Sequence, residues 1–191
     1  MLDKKILLST IDKCLLNSRE LYEEAEILKK YEKYARSYTL YHLSIEEIGK
    51  VFIIYKFLLN DDYSEDKIKK FDKEFKEHKI KIDFSTNINL IIHWLFKGKL
   101  ELEAFKNLKY TNEQINDLNN FKNISLYTFI DNENVFKPSD IINSEEQIES
   151  IKLDAKVRLL GTEQFCSVAL ENLDKMIEII KLENEKSKNK V

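Results

Sequence analysis

Three glycines and one proline are all the strong breakers in this 191-residue chain. A sheet of many short strands needs a turn residue at each reversal, so the scarcity of both residues predicts long helices. With 43% hydrophobic residues the chain can bury a substantial core, and its length fits one domain. Ile6, Leu7, Ile11, Leu15, Leu21, Ala25 and Leu28 recur mostly at three, four or seven residues, which predicts a helix over 3–33. A second helix is expected over 34–59, a third from an N-cap at Ser64 to residue 79, and an apolar fourth over 84–96 closed by Gly98. Thr111 with Gln114 forms a capping box for a short helix to 123. Ser144 with Gln147 does the same for a final long helix to 185, with Gly161 as a kink. Between them, NISLYTFIDNENVFKPSDII holds the sole proline, Pro138, and reads as irregular. Without a repeat or a linker, the expectation is all-α: a single helical domain over 1–185, with two long N-terminal helices, a long C-terminal helix and a frayed tail at 186–191.

Charge and cysteine usage narrow the functional classes. A net charge of −3 argues against a broad electrostatic coat for nucleic acid, so any RNA contact is local. The stretch 65–81 carries seven lysines against five acids, a pattern typical of a solvated helix face. Cys14 and Cys166 lie in apolar-periodic stretches without CxxC spacing and read as buried thiols in a reducing compartment. No apolar leader and no run of about 18 apolar residues is present, so a cytoplasmic protein with no membrane partner is expected.

The segment ARSYTLYHLSIEEIGK carries most of the chemistry. Arg36 and His42 are separated by five residues, and Glu46, Glu47 and Lys50 follow. On a helix these five share a sector about 140° wide. Tyr34, Tyr38, Tyr41, Ile45, Ile48, Phe52 and Tyr55 form an aromatic-rich stripe opposite, suited to a core. An imidazole near a guanidinium, an ammonium and carboxylates can perform acid–base chemistry on a phosphate. The ordinary alternative is a solvated face, because Glu46 and Lys50 are also a common i,i+4 pair. Leu43 and Ile54 interrupt the polar sector and suggest a surface facing a second subunit.

The remaining histidines are less telling. His78, among Lys79 and Lys81, reads as an exposed side chain or a second acid–base group, while His93 in NLIIHWLF reads as a core histidine. No HExxH spacing, paired ExxH motif or Gly-rich phosphate loop appears, so neither a metal nor another cofactor is expected.

Three segments, LYHLSIEEIGKVFIIYKF (40–57), FKEHKIKI (75–82) and KNISLYTFIDNENVFKPSDI (122–141), follow one another in an order and spacing that resemble the AbiV family of abortive infection proteins, in the HEPN superfamily. They look like that family's E-E-x-G-K helix, its H-K element and its L-Y-x-x-x-D loop leading to a proline. The resemblance implies a HEPN-like helical bundle, a homodimer and a bacterial phage-defence role. It further implies a metal-independent endoribonuclease that halts growth or translation on infection, with RNA as substrate and a phage-encoded protein as activator. Two catalytic sets follow: Arg36 with His42, or His78 with Glu46, Glu47 and Lys50. RNA or partner contacts would fall to Lys79, Lys81, Lys122, Tyr127 and Asp131. The rival reading is a non-catalytic helical dimer that binds a phage or host protein through the same face.

Overall fold

The computed structural model describes residues 2–99 and 101–188. Helix α1 spans Lys4–Lys30, and its first turn is closed by the Asp3 side chain, which accepts from the Ile6 N–H at 2.8 Å. A tight turn with Glu32 at φ 58° leads into α2, Tyr34–Asn60. The two helices approach closely where small residues meet. Ser18 and Ser44 exchange hydroxyl-to-carbonyl hydrogen bonds at 3.0 and 2.9 Å, a polar clasp within the buried seam.

Helix α2 is the axis of the domain, packed by α1, by α3 (Glu65–Lys76), by α4 (His78–Ser85), by α7 (Asn112–Leu126), by α8 (Pro138–Ile141), by α9 (Glu146–Ala169) and by α10 (Leu173–Lys188). Of the expected stripe, Tyr38, Tyr41, Ile45, Ile48, Phe52 and Tyr55 are buried and Tyr34 is half-buried. Part of the opposite sector is buried as well: His42 and Ile54 are fully enclosed and Glu46 is 2% exposed, while Leu43, Glu47 and Lys50 are half-buried and Arg36 is exposed. Ile54 therefore belongs to the core of its own chain and does not face outward. A helix covered on most sides reads as amphipathic only in part, and its buried polar groups must be matched internally.

Short helices and one hairpin complete the bundle. The apolar helix expected over 84–96 is α5 (Asn87–Lys97), with Phe84 and Ser85 ending α4 instead, and Gly98 ends α5 at φ 68°. Helix α3 stops at Lys76, because Glu77 is extended at ψ 116°. A further helix, α6 (Leu102–Leu108), was not signalled by the sequence pattern. Thr111 and Gln114 do form the capping box of α7. The irregular stretch contains a two-stranded antiparallel ribbon, β1 (Phe129–Asp131) and β2 (Asn134–Phe136), in the register Phe129↔Phe136. Asn132 and Glu133 hold φ at 45° and 69°, the left-handed conformations of a two-residue hairpin turn. The final helix is interrupted after Ala169 and resumes as α10, which runs to Lys188, past the expected start of the tail. Helix α9 runs unbroken through Gly161, where a Cβ would lie 2.9 Å from the Ile88 side chain, so the missing side chain lets α5 dock on α9. Cys14 and Cys166 are free and buried, and burial pushes both thiols up to about 12.

Candidate active site

One carboxylate organises the polar interior. Glu46, on the α2 face toward α4 and α7, accepts from Lys81 Nζ at 2.7 Å, from Lys122 Nζ at 3.1 Å and from His78 Nδ1 at 2.7 and 2.9 Å. His42 Nε2 stands 3.3 Å from the same carboxylate, turned off the hydrogen-bond line, and neither ring nitrogen finds a hydrogen-bond partner among the described residues. Both lysines are nearly sealed, each 6% exposed. Burial by itself would raise the Glu46 carboxyl, but the Lys81 ammonium and the His78 imidazole bonded to it hold it well below the usual carboxylate range. Burial lowers His42, outweighing the attraction of Glu46, so this imidazole is neutral.

The cluster exists because α4 can come close to α2. An added Cβ on Gly49 would stand 1.9 Å from the Lys81 carbonyl oxygen. With no side chain at 49, the α4 backbone lies directly on α2, within reach for His78 and Lys81, one turn apart, to meet Glu46. Helix α7 is held against α2 beside the same cluster: the hydroxyls of Thr39 and Ser125 are 2.7 Å apart, and Ser125 donates to the Lys122 carbonyl at 2.7 Å.

His78 is the one cluster imidazole that reaches the surface, with its side chain 54% exposed. A carboxylate only accepts, so Nδ1 carries the hydrogen and Nε2 is left as the basic nitrogen of the neutral ring. His78 and Lys122 line an open cleft together with Thr39, Leu43, Asn119, Asn123, Leu126 and Tyr127. The α7 wall follows helical spacing, Asn119, Lys122, Asn123 and Leu126, and the α2 wall runs Thr39 to Leu43 above Glu46. Arg36 lies on that same α2 row, is exposed, and donates to the Leu126 carbonyl at 3.1 Å at the end of α7. It thus sits at the rim beside Tyr127, while His42 lies beneath the cleft and away from solvent.

The other anticipated residues fall elsewhere. Glu47 and Lys50 form their own ion pair at 2.5 Å, with Lys50 over the Phe75 ring, on a surface shared with Cys14 and Asn17. Lys79 points into a separate groove with Asp83 and Asn112. Asp131 is exposed at the hairpin, opposite Asn134. The five anticipated residues that do converge on one carboxylate centre are His42, Glu46, His78, Lys81 and Lys122. Sequence reasoning missed Asn119 and Asn123, whose i,i+4 spacing around Lys122 was the available signal. It also missed Arg158. This fully buried guanidinium donates to Asp154 at 2.7 Å and to Ser85, and covers the Tyr110 ring at 4.7 Å, tying α9 to the end of α4 and the start of α7.

Among the described residues, no group of three His, Cys, Asp or Glu side chains is placed to hold a metal ion, and no helix is long and apolar enough to cross a membrane. Glu46 already meets two ammonium groups and an imidazole N–H, which leaves its oxygens poorly disposed toward a cation.

Two long helices joined by a tight turn and closed by α4, α7 and α9 over a histidine–glutamate–lysine centre make an all-α helical bundle. The sequence model of AbiV, a HEPN family, matches residues 6–158, and the chain belongs to that family. Membership carries an abortive infection, phage-defence role. No curated protein and no solved structure matches the chain.

Proposed function

We propose that the chain is an abortive infection endoribonuclease that cuts single-stranded RNA in the cleft above Glu46 without a metal ion. The observation that carries this reading is the Glu46–His78 contact at 2.7 Å on an imidazole that is otherwise open to the cleft. Glu46 fixes the tautomer and orientation of the ring, and Nε2 takes the proton of a ribose 2′-hydroxyl. The 2′-oxygen attacks the adjacent phosphorus, the bond to the 5′-oxygen breaks, and that oxygen leaves with a proton from water. The products are a 2′,3′-cyclic phosphate and a 5′-hydroxyl. Lys122 offsets the charge that develops on the phosphoryl oxygens, assisted by Lys81 behind it and Arg36 at the rim. An unpaired strand is required, since only a flexible backbone reaches in-line geometry.

In the cell this activity works in the cytoplasm, as a homodimer triggered by a phage-encoded protein. The exposed row Leu153, Val157, Leu160 and Val168 on α9 is apolar surface of the kind a second copy covers. Overproduction tests the reading: the wild-type chain should arrest growth, and His78→Ala should relieve the arrest while the protein accumulates to the same level. Full arrest by His78→Ala, together with intact cellular RNA, would transfer the role to a helical dimer that binds a phage or host protein.

A further inference from the structure

The wall of the cleft facing away from Glu46 carries groups that no part of the cleavage step uses. Tyr127, the residue that ends α7, is 61% exposed at the cleft mouth. Asn119 and Asn123 stand one turn apart beside it, with Lys122 between them in sequence. Among the described residues, neither side-chain amide and not the Tyr127 hydroxyl forms a hydrogen bond within the chain. Leu43 and Leu126 give this part of the cleft an apolar floor.

We propose that this wall is a nucleobase subsite, in which an unpaired base stacks on the Tyr127 ring and presents its edge to the Asn119 and Asn123 amides. The inference rests on the nucleotide reading of the cleft and names how the strand is held there. Three observations combine. The cleft joins an aromatic face to a buried ammonium, the pairing of base and phosphate that single-stranded nucleic acid offers. A side-chain amide has both a donor and an acceptor, matching the adjacent donor and acceptor on a base edge. Glu46 is the only acid paired with Lys81 and Lys122 among the described residues, so the cluster holds an excess of positive charge that a phosphate on the same strand would balance.

The subsite is tested by binding in the absence of cleavage, using a labelled single strand of 2′-O-methyl RNA, which has no 2′-hydroxyl to attack. Parallel titrations use its duplex, a strand of the same length lacking bases, and a free mononucleotide. The wild-type chain and Tyr127→Phe should bind the single strand alike, while Tyr127→Ala binds it about ten- to a hundredfold more weakly. The duplex should bind poorly. The baseless strand should be indifferent to Tyr127→Ala, because only phosphate contacts remain to it. Tight, Tyr127-dependent binding of the mononucleotide would assign the subsite to a free nucleotide, and the strand proposal would fall. Equal affinity of Tyr127→Ala and wild type for the single strand, no binding of the strand at all, or equal losses on the baseless strand would each overturn the subsite. Since Tyr127 is exposed, circular dichroism should show the same helical content in both variants. Cleavage is scored separately: Tyr127-dependent binding without RNA cutting refutes the ribonuclease reading alone, and His78-dependent cutting by a fully active Tyr127→Ala refutes the subsite alone.

Discussion

The carbonyl oxygen of Lys81 occupies the space that a side chain on Gly49 would need, with only 1.9 Å between it and the position of a Cβ. This approach is backbone against backbone, so no side-chain rotation can relieve an intrusion. Gly49→Ala should therefore push α4 off α2 and cost about 1–3 kcal/mol of stability. For a chain of this size that is about 2–4 °C in Tm for each kcal/mol. Thermal unfolding measures it, and an unchanged Tm would mean that α4 is not held against α2 in this way.

Glu46→Gln leaves Lys81 and Lys122 buried with no acid beside them. Removing one partner of a buried ion pair costs about 3–5 kcal/mol, so urea denaturation should show a large loss of stability. A variant as stable as wild type would contradict the packing of both lysines on this carboxylate. Lys81→Met and Lys122→Met should each be milder, since one ammonium still faces Glu46.

The two shifted groups of the cluster predict acid sensitivity in sequence. The folded His42 lies below its ordinary value of 6.5, so the unfolded chain takes up a proton that the native chain resists, and stability declines as pH falls below about 6.5. Glu46 is also depressed, from 4.5, so its contribution is complete above that value and is lost as pH falls below it. Urea midpoints at pH 7.5 and 5.5 should drop for wild type and change less for His42→Gln. An equal drop in both would place the titration at another histidine.

Arg158 should matter for the site although it touches nothing in the cleft. Its bonds to Asp154 and Ser85 and its position over Tyr110 brace α4 and α7 from behind. Arg158→Met leaves Asp154 without its cation and should destabilise the chain by a few kcal/mol, about the loss for a broken buried pair. Denaturation at neutral pH checks this, and no change would make the network incidental.

The architecture was readable from the near-absence of glycine and proline and from apolar spacing, which located α1, α2 and the capping box of α7. Local breaks were less accessible. Glu77 and the 170–172 segment interrupt helices without a breaker residue, and the hairpin turn uses Asn132 and Glu133 in place of glycine. At the site, periodicity put Arg36, His42, Glu46, Glu47 and Lys50 on one side of α2. The fold divides them, because a helix surrounded by neighbours sends adjacent residues of a sector to different partners. Glu46 turns to α4 and α7, Glu47 and Lys50 pair with each other, and Arg36 reaches the end of α7. The link from Glu46 to Lys122 spans 76 positions and depends wholly on tertiary packing.

Cleavage of a defined single-stranded RNA by purified protein in EDTA tests the central claim most directly. The account predicts products ending in 2′,3′-cyclic phosphate and 5′-hydroxyl, with His78→Ala slower by about 10²–10⁴-fold and its helical spectrum unchanged. No EDTA-resistant cleavage by the wild-type chain, or cleavage by His78→Ala at the wild-type rate, would contradict it.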